Sequence, residues 1–144
     1  MEEIWKDIPS TNHYKYQVSN LGRVRSLPKT ITYSDGRVYK YKSKVLVPKV
    51  NNAGYLHLNL FYDKGKSVTW DIQRLVAIAF IPNPNSKRVV NHINGDKLDN
   101  RAVNLEWNTY QENTNHAFES GLSSRDTILR AQKISMLRFK KQSA

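Results

Sequence analysis

The sequence predicts a mixed α+β chain. An antiparallel β-rich N-terminal module comes first, then a compact strand–loop–strand–helix unit, then a basic C-terminal helix. Three observations predict this. Short segments that alternate apolar and polar residues, punctuated by Gly, Asn and Asp turns, fill the chain up to Asp71. The tetrad Thr109-Tyr110-Gln111-Glu112 has the capping-box form that opens a helix. Between them, Ile81-Pro82-Asn83-Pro84-Asn85-Ser86 carries two prolines and no periodicity, which marks a stiff connector. The resulting units are residues 1–81, 82–122 and 123–144.

Taken in order, Ile4 and Trp5 anchor a short leading segment. Lys15–Ser19 and Arg23–Leu27 form a hairpin around the turn Ser19-Asn20-Leu21-Gly22, and Arg23 and Arg25 project from one face of its second strand. From Pro28 to Lys49, lysines interleave with Tyr33, Tyr39 and Tyr41 around a Ser34-Asp35-Gly36 turn. That pattern suits phosphate contact and a solvated hairpin whose tyrosines share a face equally well. Val45–Val47 and Tyr55–Phe61 are strands joined through Asn51–Gly54; Leu56, Leu58 and Leu60 take one side and His57 the more polar one. After a Tyr62–Lys66 turn and a strand over Val68–Asp71, Asp71 is positioned to cap a helix over Ile72–Phe80.

The bulk numbers bound the partners. The formal charge is +11 across 144 residues, the balance of a chain that meets nucleic acid more often than an anionic membrane. There is no cysteine, which excludes disulfides and thiolate zinc sites. No run reaches the roughly 18 apolar residues of a membrane span. The acidic opening MEEIWKDIPS lacks the order of a signal peptide, so an intracellular, cytoplasmic protein is expected, with no obligate protein partner evident.

The chemistry concentrates between Val89 and Phe118. Arg88–Ile93 is a strand ending at His92; Asn94–Asn100 is a polar loop; Asn104–Trp107 opens a second strand; a helix runs from near Tyr110 to about Ser120. Folding that helix onto the hairpin brings Asn91, His92 and Asn113 together. A histidine with a near-neutral pKa is a suitable general base for phosphodiester hydrolysis, and two amide oxygens can serve a hard divalent ion that also takes phosphate oxygens. By residue type alone the plainer reading is the stronger one: His92 capping a turn, with the asparagines serving loop geometry.

The motif NHINGDKLDNRAVNLEW, followed by ENTNHAF, resembles the signature of the HNH nucleases, and is especially similar to their phage and intron-encoded homing branch. IWKDIP with YQVSNLGRVRSL resembles the small modular domain that often precedes this nuclease. Together the two matches cover most of residues 4–122. The resemblance implies a ββα-metal fold around one divalent ion, Mg²⁺ first and Mn²⁺ second. It implies His92 as the base that activates water, Asn91 and Asn113 as metal ligands, and Asn104 as the middle signature asparagine, which braces the histidine loop. His116 faces the site side of the helix, to contact phosphate or the outer sphere of the metal, or to stack within the core. Asn91 departs from relatives that carry Asp there, and an amide binds Mg²⁺ more weakly than a carboxylate.

The resemblance therefore implies a metal-dependent DNA endonuclease that nicks double-stranded DNA. The alternative is a non-catalytic nucleic-acid-binding module that keeps the fold. The expected DNA contacts are Arg23, Arg25, Lys29, Arg37, Lys40, Lys42 and Lys44, joined by Arg125, Arg130 and Lys133 on a basic helix over Ser124–Lys141.

Overall fold

The computed structural model describes residues 1–9, 15–63 and 65–119. Within them the fold is mixed α+β, with every strand pairing antiparallel. The strands are β1 (Trp5–Asp7), β2 (Tyr16–Ser19), β3 (Val24–Ser26), β4 (Lys29–Thr32), β5 (Val38–Tyr41), β6 (Lys44–Val45), β7 (Lys49–Val50), β8 (Leu56–Asp63), β9 (Lys66–Asp71), β10 (Val89–His92) and β11 (Leu105–Asn108). The helices are α1 (Ile72–Phe80) and α2 (Tyr110–Glu119). The basic helix expected over Ser124–Lys141, with Arg125, Arg130 and Lys133, lies outside the described residues. No described helix is long and apolar enough to cross a membrane.

Four antiparallel sheets result. One runs β1-β2-β3-β6, one is the hairpin β4-β5, one runs β7-β8-β9 and the last is the pair β10-β11. The expected first hairpin forms with Val18 opposite Val24, and both side chains are buried. Gly22 closes its turn with φ +87, a left-handed value that glycine adopts without a Cβ penalty. The β8 side chains follow the alternation read from the sequence: Leu58 and Leu60 are buried while Asn59 and Phe61 are exposed.

Three local expectations differ. Val45–Val47 is not one strand: Val45 pairs with Arg25 in the first sheet, while Lys49 and Val50 pair with His57 and Leu56 in another. Pro48 intervenes, and a residue with no N–H cannot carry a ladder across. Asp71 sits at the start of α1 but makes no side-chain cap bond. It is the last residue of β9, opposite His57, so its conformation is set by the sheet. The turn after β8 is also tighter than expected, because pairing continues to Asp63 opposite Lys66.

Helix α1 organises the interior. Ile72, Leu75 and Val76 join Val18, Val24, Leu58, Leu60 and Leu105 in one buried cluster. Residues of the N-terminal sheets and of the β10–β11 pair thus share one core. The end of α1 is tied from both sides. Lys6 Nζ donates to Ala79 O at 3.1 Å, a cation at a helix C-terminus, and Trp107 Nε1 donates to Ile81 O at 3.0 Å. At the start of α2 the capping box is formed: Glu112 N donates to Thr109 Oγ1 at 3.1 Å, and Thr109 N to Glu112 Oε1 at 2.8 Å.

The loop between β10 and β11 is held by one ion pair. Arg101 donates twice to Asp99, at 2.8 and 2.7 Å, and Asn94 Nδ2 donates to it at 3.0 Å. The Arg101 side chain holds the Asp99 carboxyl at about 2, well below its ordinary 3.8.

Two stability predictions follow from this packing. Leu75→Ala, at a residue 3 % exposed, is expected to cost about 2–5 kcal/mol in urea unfolding. Ile78→Ala, 48 % exposed on the same helix, should stay within about 0.5 kcal/mol. For Asp99, the unfolded chain takes up the proton more readily than the folded one. The stability it contributes is present above its ordinary pKa of 3.8 and lost as pH falls toward about 2. Asp99→Asn should flatten that part of the stability-versus-pH curve; an unchanged acid slope would remove the ion pair from the account.

Candidate active site

The site is built by β10, the loop after it, β11 and α2. In β10, Asn91 stands opposite Glu106 and His92 opposite Leu105. The strand feeds His92 into a tight turn in which Gly95 N donates to His92 O at 2.9 Å, with Gly95 at φ +78. α2 lies against both strands. One cleft is thereby lined by Asn91, His92, Asn113 and His116, walled further by Tyr55 and Lys97. The four residues that the sequence reading singled out from strand and helix meet there.

His92 is buried, 5 % exposed. Its Nε2 lies 2.6 Å from Asn100 Oδ1. A carbonyl oxygen only accepts, so the ring nitrogen carries the hydrogen and Nδ1 keeps the lone pair. Tyr55 stacks on the imidazole, with ring centroids 5.7 Å apart and planes 25° apart. Burial pushes the His92 pKa below its ordinary value, and the hydrogen bond to Asn100 opposes that shift. A buried, neutral imidazole with one nitrogen committed is suited to accept a proton at the other.

Asn91 is buried and its amide nitrogen donates to Glu106 Oε1 at 3.0 Å. That bond fixes the amide by its nitrogen, so its oxygen could serve a cation. Glu106 also accepts from Asn108 Nδ2 at 3.2 Å. A carboxylate that accepts from an amide N–H draws electron density toward the amide oxygen, which partly offsets the missing ligand charge. Asn113, on α2, lines the same cleft. Among the described residues there is no cluster of three or more His, Cys, Asp or Glu side chains. The donor set at this cleft is two amides, which suits a hard ion that keeps waters and shares phosphate oxygens rather than an all-protein cage.

Asn104 stands apart from the cleft and beneath the loop. Its Oδ1 accepts from Asn94 N at 3.0 Å, and its Nδ2 donates to Asn94 Oδ1 at 3.0 Å and to Asp99 O at 2.9 Å. Its own carbonyl accepts Ile93 N at 2.8 Å. The arrangement is that of a brace. His116 ties α2 to the strand: its Nε2 lies 3.1 Å from Ile93 O, leaving Nδ1 as its second ring nitrogen. Asp96 and Asp99 serve the loop backbone, accepting from Leu98 N at 3.0 Å and from Arg101 N at 3.4 Å.

Four residues at the site were not singled out from the sequence: Asn100, Tyr55, Glu106 and Lys97. Lys97 Nζ donates to Ala53 O at 2.9 Å and sits 4.9 Å over the Tyr55 ring. Glu106 was within reach of strand reasoning, since it faces Asn91 across the pair. Asn100, Tyr55 and Lys97 depend on contacts between distant segments, and no sequence signal marks them.

The basic residues expected to face DNA divide in two. Arg23 forks onto Glu3 and Arg25 onto Gln17 Oε1, at 3.0 and 2.7 Å, and both guanidinium groups lie over Trp5, with Arg25 4.1 Å from the ring centroid. Arg37 pairs with Asp35 at 2.6 Å. Lys40, Lys42 and Lys44 are exposed. Lys29 lies 5.3 Å over Tyr41, and Tyr33 meets Tyr39 edge-on at 5.4 Å, so the β4–β5 hairpin carries its own aromatic face.

Comparison with known proteins agrees with this geometry. A family described as the NUMOD4 motif matches residues 3–61, and one described as HNH endonuclease matches residues 72–115. An uncharacterized HNH endonuclease of Acanthamoeba polyphaga mimivirus is 41 % identical over 122 residues, covering 83 % of this chain and 27 % of the relative. A second from the same virus is 36 % identical over 118 residues, covering 82 % of this chain and 31 % of the relative, so the chain spans about a third or less of either one. DNA endonuclease I-HmuI of Bacillus phage SP01 is 33 % identical over 137 residues, covering 95 % of this chain and 68 % of that enzyme. The solved structure of I-HmuI, described as DNA binding and cleavage by an HNH homing endonuclease, superposes with a TM-score of 0.67 at 32 % identity, over 94 % of this chain and 68 % of that one. With its fold, its cleft and these relatives in agreement, this chain belongs to the HNH endonuclease family.

Proposed function

We propose that this chain is a divalent-metal-dependent endodeoxyribonuclease that nicks double-stranded DNA. The observation that carries the reading is the convergence on one cleft of a buried histidine with a free Nδ1 and two amide side chains. The solved relative I-HmuI is described as binding and cleaving DNA, which supports DNA as the partner.

In this reading His92 Nδ1 takes the proton from the attacking water as its oxygen bonds to phosphorus. The base needs to be neutral at working pH, and burial favours that form. A divalent ion, Mg²⁺ first and Mn²⁺ second, bound at the amide oxygens of Asn91 and Asn113, would supply charge stabilisation for the phosphorane and the leaving oxygen. Glu106 holds the Asn91 amide in place. Lys97, at the rim, provides a cation within the cleft for a phosphate oxygen. Asn104 keeps the loop shaped so that His92 faces the cleft. The three units 1–81, 82–122 and 123–144 divide the labour: the first and last hold DNA by charge, and the middle one cuts. One such centre per chain cuts one strand, so a double-strand break takes two copies or two events.

Purified protein is expected to convert supercoiled plasmid to nicked circle with Mg²⁺ or Mn²⁺, and EDTA is expected to stop it. His92→Ala should slow nicking about 10²- to 10⁴-fold, the usual worth of a general base. If His92→Ala cut at the wild-type rate, the base would be misassigned. Metal-independent DNA binding with no nicking would favour the non-catalytic binding module.

Binding should also weaken steeply between low and moderate salt, because neutralised phosphates release counterions. Removing Lys40 and Lys42 together should lower the slope of log K against log salt by about 2 in a fluorescence-anisotropy titration. An unchanged slope would take the β4–β5 hairpin out of the DNA surface.

A further inference from the structure

The residue that orients His92 is itself held from outside the nuclease unit. Asn100 is 4 % exposed, and its Oδ1 is the hydrogen-bond partner of His92 Nε2 at 2.6 Å. Its Nδ2 is buried with no partner. An unpaired buried N–H is costly, so an apolar side chain would sit there more cheaply unless the oxygen has a task. That task is the hydrogen bond to the imidazole.

Asn100 is in turn held by the N-terminal module. The turn between β2 and β3 lies directly on it. A Cβ added at Gly22 would fall 3.0 Å from Asn100 Cβ and 3.0 Å from Asn100 O, so only glycine allows this approach. Beside it, Ala102 N donates to Asn20 O at 2.8 Å. The turn itself is fixed. Ser19 is fully buried, and its Oγ accepts from Leu21 N at 3.2 Å and Arg23 N at 3.1 Å. The Asn20 side chain accepts from Ile4 N at 2.7 Å and donates to Glu2 O at 3.1 Å. A continuous run of contacts therefore links the leading strand, the 19–22 turn, Asn100 and the His92 ring.

We propose that Asn100 is the positioning residue of His92, and that the 19–22 turn holds Asn100 in place through its contact at Gly22. The N-terminal module then has a second role besides DNA contact: it sets the orientation and tautomer of the base. Asn100 fixes the hydrogen on Nε2, and Tyr55, stacked on the ring, limits rotation about the same axis. Without the Asn100 oxygen, the ring is free to carry its hydrogen on Nδ1, and in that form Nδ1 has no lone pair with which to accept a proton from water.

The inference rests on the nuclease reading above for its kinetic consequences, but not for its structural one. The ¹⁵N signals of His92 in metal-free protein, in mildly alkaline solution where imidazole is neutral, report the tautomer directly. The wild type is expected to show the Nε2–H form; the Nδ1–H form in the wild type overturns the proposal whether or not the protein cuts DNA. Asn100→Asp, which keeps the acceptor oxygen, should retain that tautomer and nick within a few-fold of wild type. Asn100→Leu should show mixed tautomers and lose about 10- to 100-fold in kcat at nearly constant KM, the usual scale for groups that orient a catalytic ligand. Gly22→Ala should lower kcat in the same direction. Gly65→Ala is the control: it imposes the same kind of backbone strain, at φ +71, with no atom within 4 Å, and should leave kcat unchanged. Wild-type kcat and tautomer in Asn100→Leu, or equal effects of Gly22→Ala and Gly65→Ala, would overturn the proposal. Failure of the wild type to nick under any metal would instead count against the nuclease reading, with the tautomer still deciding this one.

Discussion

The rest of the structure depends on the burial of helix α1 between two sets of strands. Nine residues are too few for a helix to persist alone in water. A two-stranded pair such as β10–β11 is marginal by itself as well. Each becomes stable only because Ile72, Leu75 and Val76 pack against Val18, Leu58 and Leu60 on one side and approach Leu105 on the other. The nuclease signature thus shares its core with the module that precedes it. Its cleft is a corner of a common interior, which is why contacts from the N-terminal strands can reach His92 at all.

Above that core the buried polar side chains in and beside the loop after β10 are largely neutral amides. Asn91, Asn100, Asn104 and Asn108 are all buried. An amide offers two donors and an acceptor without net charge, so it can close a loop in a low-dielectric setting where an ion would be expensive. Asn104 uses both ends of its side chain to join the beginning of the loop to its end. Asp99 is charged, and it is kept so by Arg101 alongside. The same economy reaches the cleft, where Asn91 and Asn113 stand and the Glu106 carboxylate accepts from the Asn91 amide. For the proposed metal, weak ligation by the protein alone would be the natural consequence. A metal bound mainly together with a phosphate would be released with the product.

Much of this was legible in the sequence, and the reason is locality. The Ser19–Gly22 and Asn51–Gly54 turns, the alternation of Leu56, Leu58 and Leu60, and the Thr109–Glu112 capping box are each set by residues a few positions apart. So is the run of α1 up to the connector at Pro82. The failures have the opposite character. Asp71 has the chemistry of a cap, but its conformation is fixed by pairing with His57 across β8 and β9. Val45–Val47 has strand composition, yet two different sheets compete for its flanks and Pro48 decides the break. Asn91, His92, Asn113 and His116 line one cleft because folding the helix onto the hairpin brings them together, and their proposed roles come from a family pattern. Asn100 and Tyr55 were not singled out, because a loop asparagine reads as turn chemistry and a strand tyrosine as packing. Only the approach of residues 22 and 55 to the histidine loop gives them another meaning.

The same distinction between local and distant partners sorts the basic surface. Arg23, Arg25 and Arg37, the side chains able to read base edges with a planar fork, already spend that fork on Glu3, Gln17 and Asp35. The exposed lysines of β5 and β6 carry compact charges that suit phosphates and do not discriminate among bases. For the proposed DNA partner, binding by these strands is then chiefly electrostatic. Base recognition by an arginine requires that it first leave its partner. Trp5, beneath both Arg23 and Arg25, favours the engaged geometry and raises the cost of that release. Arg37, on an exposed hairpin turn, pairs with the neighbouring Asp35 and touches Tyr39 and Tyr33 only at 3.5 and 5.7 Å, so it has the least to give up of the three. Surface pairs of that kind contribute little, about 0–1 kcal/mol. Of these three arginines it is therefore the one whose fork can be transferred to a base at least cost, and for the proposed DNA partner the β4–β5 tip is where their sequence preference would be expected to arise.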